Sequence, residues 1–170
     1  MTDKTTTDRP VFKGLLWYRE QYFSFLIPID WRRFTWQDDR QGVLFGPSAE
    51  DTHTVFAVDL TDLGFSVSAD DLDDLFDGFL SGIQQLPGVE IELSKKDVTG
   101  RLISLEAKYT FVEDETTRQR WVRVLYHDTR QIAFTAQGAT PDAYAYWLPM
   151  FFEAMMTVKV HSTLPSSIYS

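Results

Sequence analysis

Apolar positions recur with two different periods along this chain, and the change of period divides it into elements. Leu72, Leu75, Phe76, Phe79, Leu80, Ile83 and Leu86 are spaced by three and four, which puts them on one helical stripe with Asp73, Asp77, Ser81 and Gln84 facing away. Ser68 and Asp71 have the spacing of a capping box, and the Asp residues of the first turns suit the positive end of a helix dipole. Pro87 and Gly88 end the pattern, which predicts a helix over about residues 69–86. A second helix is predicted over about 141–157, with Thr140 as N-cap and Pro141 in the first turn, where proline's missing N–H costs nothing. Its core stripe reads Tyr144, Trp147, Leu148, Phe151, Phe152 and Met155, and Pro149 inside it is expected to bend or split the helix.

Elsewhere the period is two, or the run is apolar and β-branched. Residues 15–27, interrupted by Arg19, Glu20 and Gln21, predict two short strands joined by a turn, and further strands are expected at 42–45 and 54–60. After the first helix four strands follow at about 89–95, 101–112, 119–127 and 131–137, joined by short polar connections that make successive strands an antiparallel meander. In the longest of them Ile103, Leu105, Ala107, Tyr109 and Phe111 share one face, and Ser104, Glu106, Lys108 and Thr110 the other. The expected fold class is therefore α+β, an antiparallel sheet of about six to eight strands flanked by two main helices. One domain is expected over 11–160, with flexible tails at 1–10 and 161–170, which are rich in Ser, Thr and Pro.

Composition narrows the function classes. A chain of 170 residues with 44% hydrophobic and 15% aromatic residues has material for one packed core. The formal charge of −9 disfavours nucleic acid, because there is no excess of Lys and Arg to displace counterions from phosphates. No Cys is present, so disulfides, thiolate catalysis and Cys-type zinc sites are excluded. With no signal-like N-terminus and no run of about 18 apolar residues, a cytoplasmic location without integral membrane contact is the expectation.

Two segments carry a resemblance. Phe23-Ser24-Phe25-Leu26-Ile27-Pro28-Ile29-Asp30-Trp31, and the stretch from Thr140-Pro141-Asp142 through Leu148-Pro149-Met150-Phe151 to Thr157-Val158-Lys159-Val160, resemble the opening strand and closing helix of the PsbP-like superfamily. That superfamily includes the photosystem II extrinsic protein PsbP, a yeast regulator of the Ran GTPase, DcrB-type proteins and the effector-associated chaperones of type VI secretion. Asp30 stands where many relatives have Gly before the Trp. The resemblance implies a PsbP-like sandwich, a sheet flanked by helices and used mostly for binding proteins, with no common catalytic apparatus or cofactor.

The residues themselves point to surfaces rather than reactive centres. Asp70, Asp71, Asp73, Asp74 and Asp77 lie on a helix rather than round a loop with a sharp Gly turn, so they read as a solvated helix start and not as a calcium site. His53, His127 and His161 fall on separate elements, Asp62 of the Asp59 and Asp62 pair sits at a strand end, and no nucleophile elbow, phosphate loop or zinc helix motif occurs. On the last helix Tyr146, Met150 and Ala154, beside Pro149, make the side expected to face water apolar. Either a protein partner or second subunit covers that side, or the chain's own tail does through Leu164, Ile168 and Tyr169. The second surface is the polar sheet face, where Trp121, Arg123, Leu125 and His127 alternate and, with Gln131, Thr135 and Gln137 of the next strand, join Glu106 and Lys108; Trp121 is either an interface anchor there or is buried beneath a helix or the N-terminal strands. The partner-binding candidates are thus Tyr146, Pro149, Met150, Trp121, Arg123 and Lys108. The functional expectation is a non-enzymatic protein-binding or adaptor module with a protein partner or a homodimer. The alternative is a small-ligand binder or enzyme with an aromatic-lined pocket near Trp31, Trp36, Trp121 and Trp147.

Overall fold

The computed structural model describes Pro10 to Ser162. Its strands are β1 (Leu15–Arg19), β2 (Phe23–Pro28), β3 (Arg32–Phe34), β4 (Gln41–Gly46), β5 (Val55–Asp62), β6 (Glu90–Thr99), β7 (Leu102–Glu113), β8 (Thr116–His127), β9 (Arg130–Gly138) and β10 (Lys159–Val160), and its helices are α1 (Leu72–Gln84) and α2 (Pro141–Met156). All the pairings are antiparallel. Seven strands form one sheet in the order β3-β4-β5-β9-β8-β7-β6, and three form a second in the order β1-β2-β10. The α+β sandwich expected from the pattern is what forms. Of the described strands, β3 has no counterpart among the strands read from periodicity, since three residues, two of them Arg, are too short and too polar to show a period of two.

Side-chain alternation gives the large sheet two buried faces. Val43, Phe45, Phe56, Val58, Ile132, Phe134, Ala136, Trp121 and Leu125 point to one side, where they pack with Phe23, Phe25 and Ile27 of the small sheet and with Tyr144, Met150, Phe151, Ala154 and Met155 of α2. Ile103, Leu105, Ala107, Tyr109, Phe111, Val122, Val124 and Tyr126 point to the other side, beneath α1. The helices lie on opposite faces and over different strands. Residues of β6 and β7 on the α2 side, and of β4 and β5 on the α1 side, accordingly lack a helix above them.

The caps form where the sequence puts them. Ser68 and Asp71 make the capping box, with the Ser68 backbone N–H donating to the Asp71 carboxylate at 2.8 Å, although a single 3-10 turn intervenes before α1 proper. The Thr140 hydroxyl accepts from the Ala143 N–H at 3.1 Å. Gly138 sets how closely α2 can begin over β9, because a Cβ there would lie 2.3 Å from the Tyr144 backbone nitrogen. Pro149 does not split α2, which runs unbroken from Pro141 to Met156. The helical bond lost there is that of the Ala145 carbonyl, and both residues are exposed, so water can take the place of the missing donor.

The stripe of α2 is rotated from the one read in the sequence. Met150 and Ala154, expected outside, are buried, with Met150 only 6% exposed, whereas Leu148 and Phe152, expected in the core, are exposed, Phe152 by 52%. The physical reason is that α2 is apolar nearly all round, so periodicity does not fix its rotation, and close approach to the sheet favours the small Ala154 at the contact. Of the expected tails, Leu164, Ile168 and Tyr169 lie outside the described residues. His161 is described, and its backbone N–H donates to the carbonyl of Tyr22, the residue before β2, at 2.8 Å.

Candidate functional site

Where α2 stops covering the sheet, its exposed side and the uncovered strands form a groove of about 480 Å³, lined by Lys95, Lys96, Asp97, Ser104, Glu106, Arg123 and Met156. The helix supplies Met156 to this lining, at the end of an exposed apolar line. Leu148, Phe152 and Met156 follow one another at intervals of four, all of them exposed, and so form a ridge along α2. The strands supply a polar floor, because register puts Lys95 opposite Glu106, Glu106 opposite Arg123, and Lys108 opposite Trp121 across β6, β7 and β8.

Trp121 is the hinge between ridge and floor. It is 2% exposed, with its ring 6.4 Å from that of Phe152. Its indole N–H donates to the Glu106 carboxylate at 2.7 Å, and the Lys108 ammonium lies 4.5 Å from the ring centroid. The other Glu106 oxygen lies 3.5 Å from the Lys95 ammonium. Arg123 donates to the Met155 carbonyl at 2.7 Å, placing a cation at the negative end of α2. Burial pulls the Arg123 guanidinium below its ordinary value, and the Glu106 charge opposes this. Burial, with the charges of Glu92 and Glu106 adding to it, pushes the Tyr144 hydroxyl up to about 12. Among the described residues, Lys108 and Arg123 have no carboxylate within ion-pair distance.

The candidates read from sequence divide between this groove and the core. Arg123 lines it, and Lys108 and Trp121 meet beside it, with Trp121 under the helix rather than displayed. Met150 belongs to the core beside Phe151 and is withdrawn from any surface. Pro149 is exposed, and Tyr146 is half-buried with its ring 4.9 Å from that of Trp147. Of the four tryptophans proposed for an aromatic pocket, Trp31 and Trp147 meet edge to face at 5.6 Å, while Trp36 lies on the other side of the large sheet and bonds to the Val58 carbonyl. Sequence reasoning did not find Leu148, Phe152 and Met156 as a surface, although their spacing of four beside Glu153 was a usable signal.

Other titratable groups are dispersed. His161 meets the Ser24 hydroxyl at 3.0 Å, but Ser24 is buried, and Arg19 and Lys159 rather than a carboxylate act on that imidazole, so nothing there orients it as a base. His53 faces Glu113 and His127 faces Asp128. Among the described residues no group of three or more His, Cys, Asp and Glu side chains is arranged to hold a metal.

Structures with the same layers are known. The solution structure of cyanobacterial PsbP, CyanoP, from Synechocystis sp. PCC 6803 superposes with a TM-score of 0.61 at 13% identity, over 89% of this chain and 95% of that one. The chain has a PsbP-like fold. Protein PA94 from Pseudomonas aeruginosa, described as of unknown function, superposes at 0.59 with 16% identity, over 88% of this chain and 99% of that one. LpqN of Mycobacterium tuberculosis, described as involved in cell envelope biogenesis, does so at 0.61 with 10% identity, over 88% and 90%. No protein-family model matches the sequence, and no curated protein does. At these identities the PsbP-like likeness is one of fold, and the groove has to be argued from its own residues.

Proposed function

We propose that this chain is a non-enzymatic protein-binding module that receives an amphipathic segment of a partner in the groove between α2 and the uncovered floor of β6 and β7. The observation that carries the reading is the ridge of Leu148, Phe152 and Met156, a continuous line of large apolar side chains exposed beside a floor that holds cations. Apolar side chains of the segment would lie on the ridge. Its carboxylates would meet Lys108, which has no carboxylate within ion-pair distance among the described residues, and Arg123, on which the Glu106 charge acts only from beyond that distance. The segment is therefore expected to be both apolar and acidic, an unusual match for a chain of formal charge −9 and one that only a local cluster of cations permits.

Selection of random peptides displayed on phage against the whole protein tests this. Peptides that combine apolar anchors with Asp or Glu are expected, and their binding is expected to be lost in Phe152→Asp and reduced about 5-fold or more in Lys108→Glu, one lost ion pair being worth about 1 kcal/mol. Peptides that bind Phe152→Asp as well as the parent, with both proteins folded by circular dichroism, would refute the site. A concentration-dependent dimer that cross-links through position 152 would replace the partner with a second copy and overturn the reading of a heterologous segment.

A further inference from the structure

The opposite corner of the sheet holds a cavity of different chemistry. There the connection from β3 to β4 folds back over the α1 side of β4 and β5, beyond the reach of α1, and leaves a pocket of about 420 Å³ lined by Phe34, Trp36, Leu44, Gly46, Val55 and residues of both flanking loops. The pocket wall is built rather than loose. The Trp36 indole N–H donates to the Val58 carbonyl at 2.9 Å, which requires Gly42 beneath it: a Cβ at 42 would fall 1.9 Å from that carbonyl oxygen and 3.2 Å from the indole nitrogen, at a φ of +134°. The Arg40 guanidinium lies 4.1 Å from the Trp36 ring centroid and donates twice to Asp38, at 2.7 and 3.0 Å. Trp36 is thus held by a backbone bond and by a cation, before anything binds. Gly46 keeps the floor open, since a side chain there would start 3.6 Å from the Phe34 ring and 4.0 Å from Val55.

The charge of the pocket selects its occupant. Arg40 is the one cation of the lining, and Asp38 neutralises it. Asp51 keeps a net charge, because its carboxylate accepts from the His53 backbone N–H at 3.1 Å and from the Thr54 hydroxyl at 2.6 Å, both neutral donors. We infer that this pocket is a second binding site, independent of the α2 groove, which takes a small flat aromatic ligand bearing an ammonium group, with the ring between Phe34 and Trp36 over Leu44 and Val55 and the charge toward Asp51. An arylalkylamine has this chemistry, and the corresponding carboxylate would meet Asp51 with like charge.

The test is a titration of the full chain followed by nitrogen-15 NMR, using tryptamine, 3-methylindole and indole-3-acetate as probes. The Trp36 indole N–H signal, assigned from its loss in Trp36→Phe, is expected to shift and saturate with tryptamine, at a Kd about 5-fold or more below that of indole-3-acetate. Asp51→Asn, which removes the charge while its amide oxygen can still accept from the His53 N–H, is expected to remove that preference, and Val55→Phe, which fills the floor, to abolish the shift while the other indole signals stay in place. Three results would overturn the assignment: no saturable shift at Trp36, equal affinity for the amine and the carboxylate, or a preference unchanged in Asp51→Asn. None of them touches the groove on the other face, so the two sites stand or fall separately.

Discussion

Shortening Met150 to alanine tests the rotation of α2, on which the groove depends. Met150 is 6% exposed within the core formed with Phe151, Ala154 and Met155, so its truncation removes buried methylene and thioether atoms and leaves a cavity that the neighbouring aromatics can only partly fill. Buried Met to Ala changes cost about 2–5 kcal/mol, and helix propensity does not offset the loss, because Met and Ala both favour helix. Phe152→Ala is the paired variant. Phe152 is 52% exposed and meets the ring of Trp121, so about half of the roughly 3–5 kcal/mol expected of a buried Phe is absent from the outset, and alanine's better propensity returns a few tenths more. The expected losses are about 2–5 kcal/mol for Met150→Ala and about 1–2 kcal/mol for Phe152→Ala. In a domain of this size these correspond to falls in Tm of roughly 4–20 °C and 2–8 °C. Urea unfolding followed by far-ultraviolet circular dichroism, with Tm as a second readout, separates them. Equal costs, or a larger cost at Phe152, would mean that α2 lies with the other side inward, and the ridge, the groove and the proposed partner would go together.

Replacing Glu106 with Leu leaves the indole N–H of the buried Trp121 without its acceptor and is expected to cost about 1–3 kcal/mol in urea unfolding, whereas Glu106→Gln, which keeps a carbonyl there, is expected to cost under about 1 kcal/mol. Tyr144, whose hydroxyl is pushed up to about 12 from an ordinary value of 10.0, holds its proton more tightly folded than unfolded, so its contribution to stability is complete below pH 10 and is lost as the pH rises from 10 toward 12; the urea midpoint is expected to fall over that window, less steeply in Tyr144→Phe. Thr140→Ala removes the acceptor of the Ala143 N–H at the start of α2 and is expected to cost about 1 kcal/mol, with Thr140→Ser close to neutral.

Much of this architecture was legible because the elements state their own limits. Thr140 and Pro141 start α2, Ser68 and Asp71 start α1, and the polar turns of the meander leave successive strands no pairing but an antiparallel one. What was not legible is rotation and coverage. The alternation in β7 separates Ile103 and Leu105 from Glu106 and Lys108, but it does not say that α2 stops short of the second set while covering Trp121 on the neighbouring strand. Trp121 read either as an anchor or as buried under a helix, and the second is what forms, whereas Arg123 read as an anchor because Trp and Arg are common at interfaces and the structure gives it to the carbonyl end of α2. Trp36 was named as a pocket residue, but in one pocket with Trp31, Trp121 and Trp147; its actual place was not legible, because it depends on Gly42, which in sequence is one glycine among nine, and on a strand of three residues.

The two candidate sites follow from a single packing constraint. A helix is about 10–12 Å across with its side chains and two neighbouring strands occupy about 10 Å, so one helix laid on a seven-stranded sheet covers only part of its width. The small sheet extends the cover beside α2 on one face, and α1 stands without such help on the other. Each face keeps an uncovered margin at the edge away from its helix, β6 and β7 on one side and β4 and β5 on the other. Water would normally demand that such margins be polar. Here each is polar only in part: Lys95, Lys108 and Glu106 stand against the ridge of Phe152 and Met156, and Asp51 and Thr54 stand against Phe34 and Trp36. It is the grouping of those apolar members beside charged ones, rather than their exposure alone, that is the physical ground for proposing an occupant for each margin.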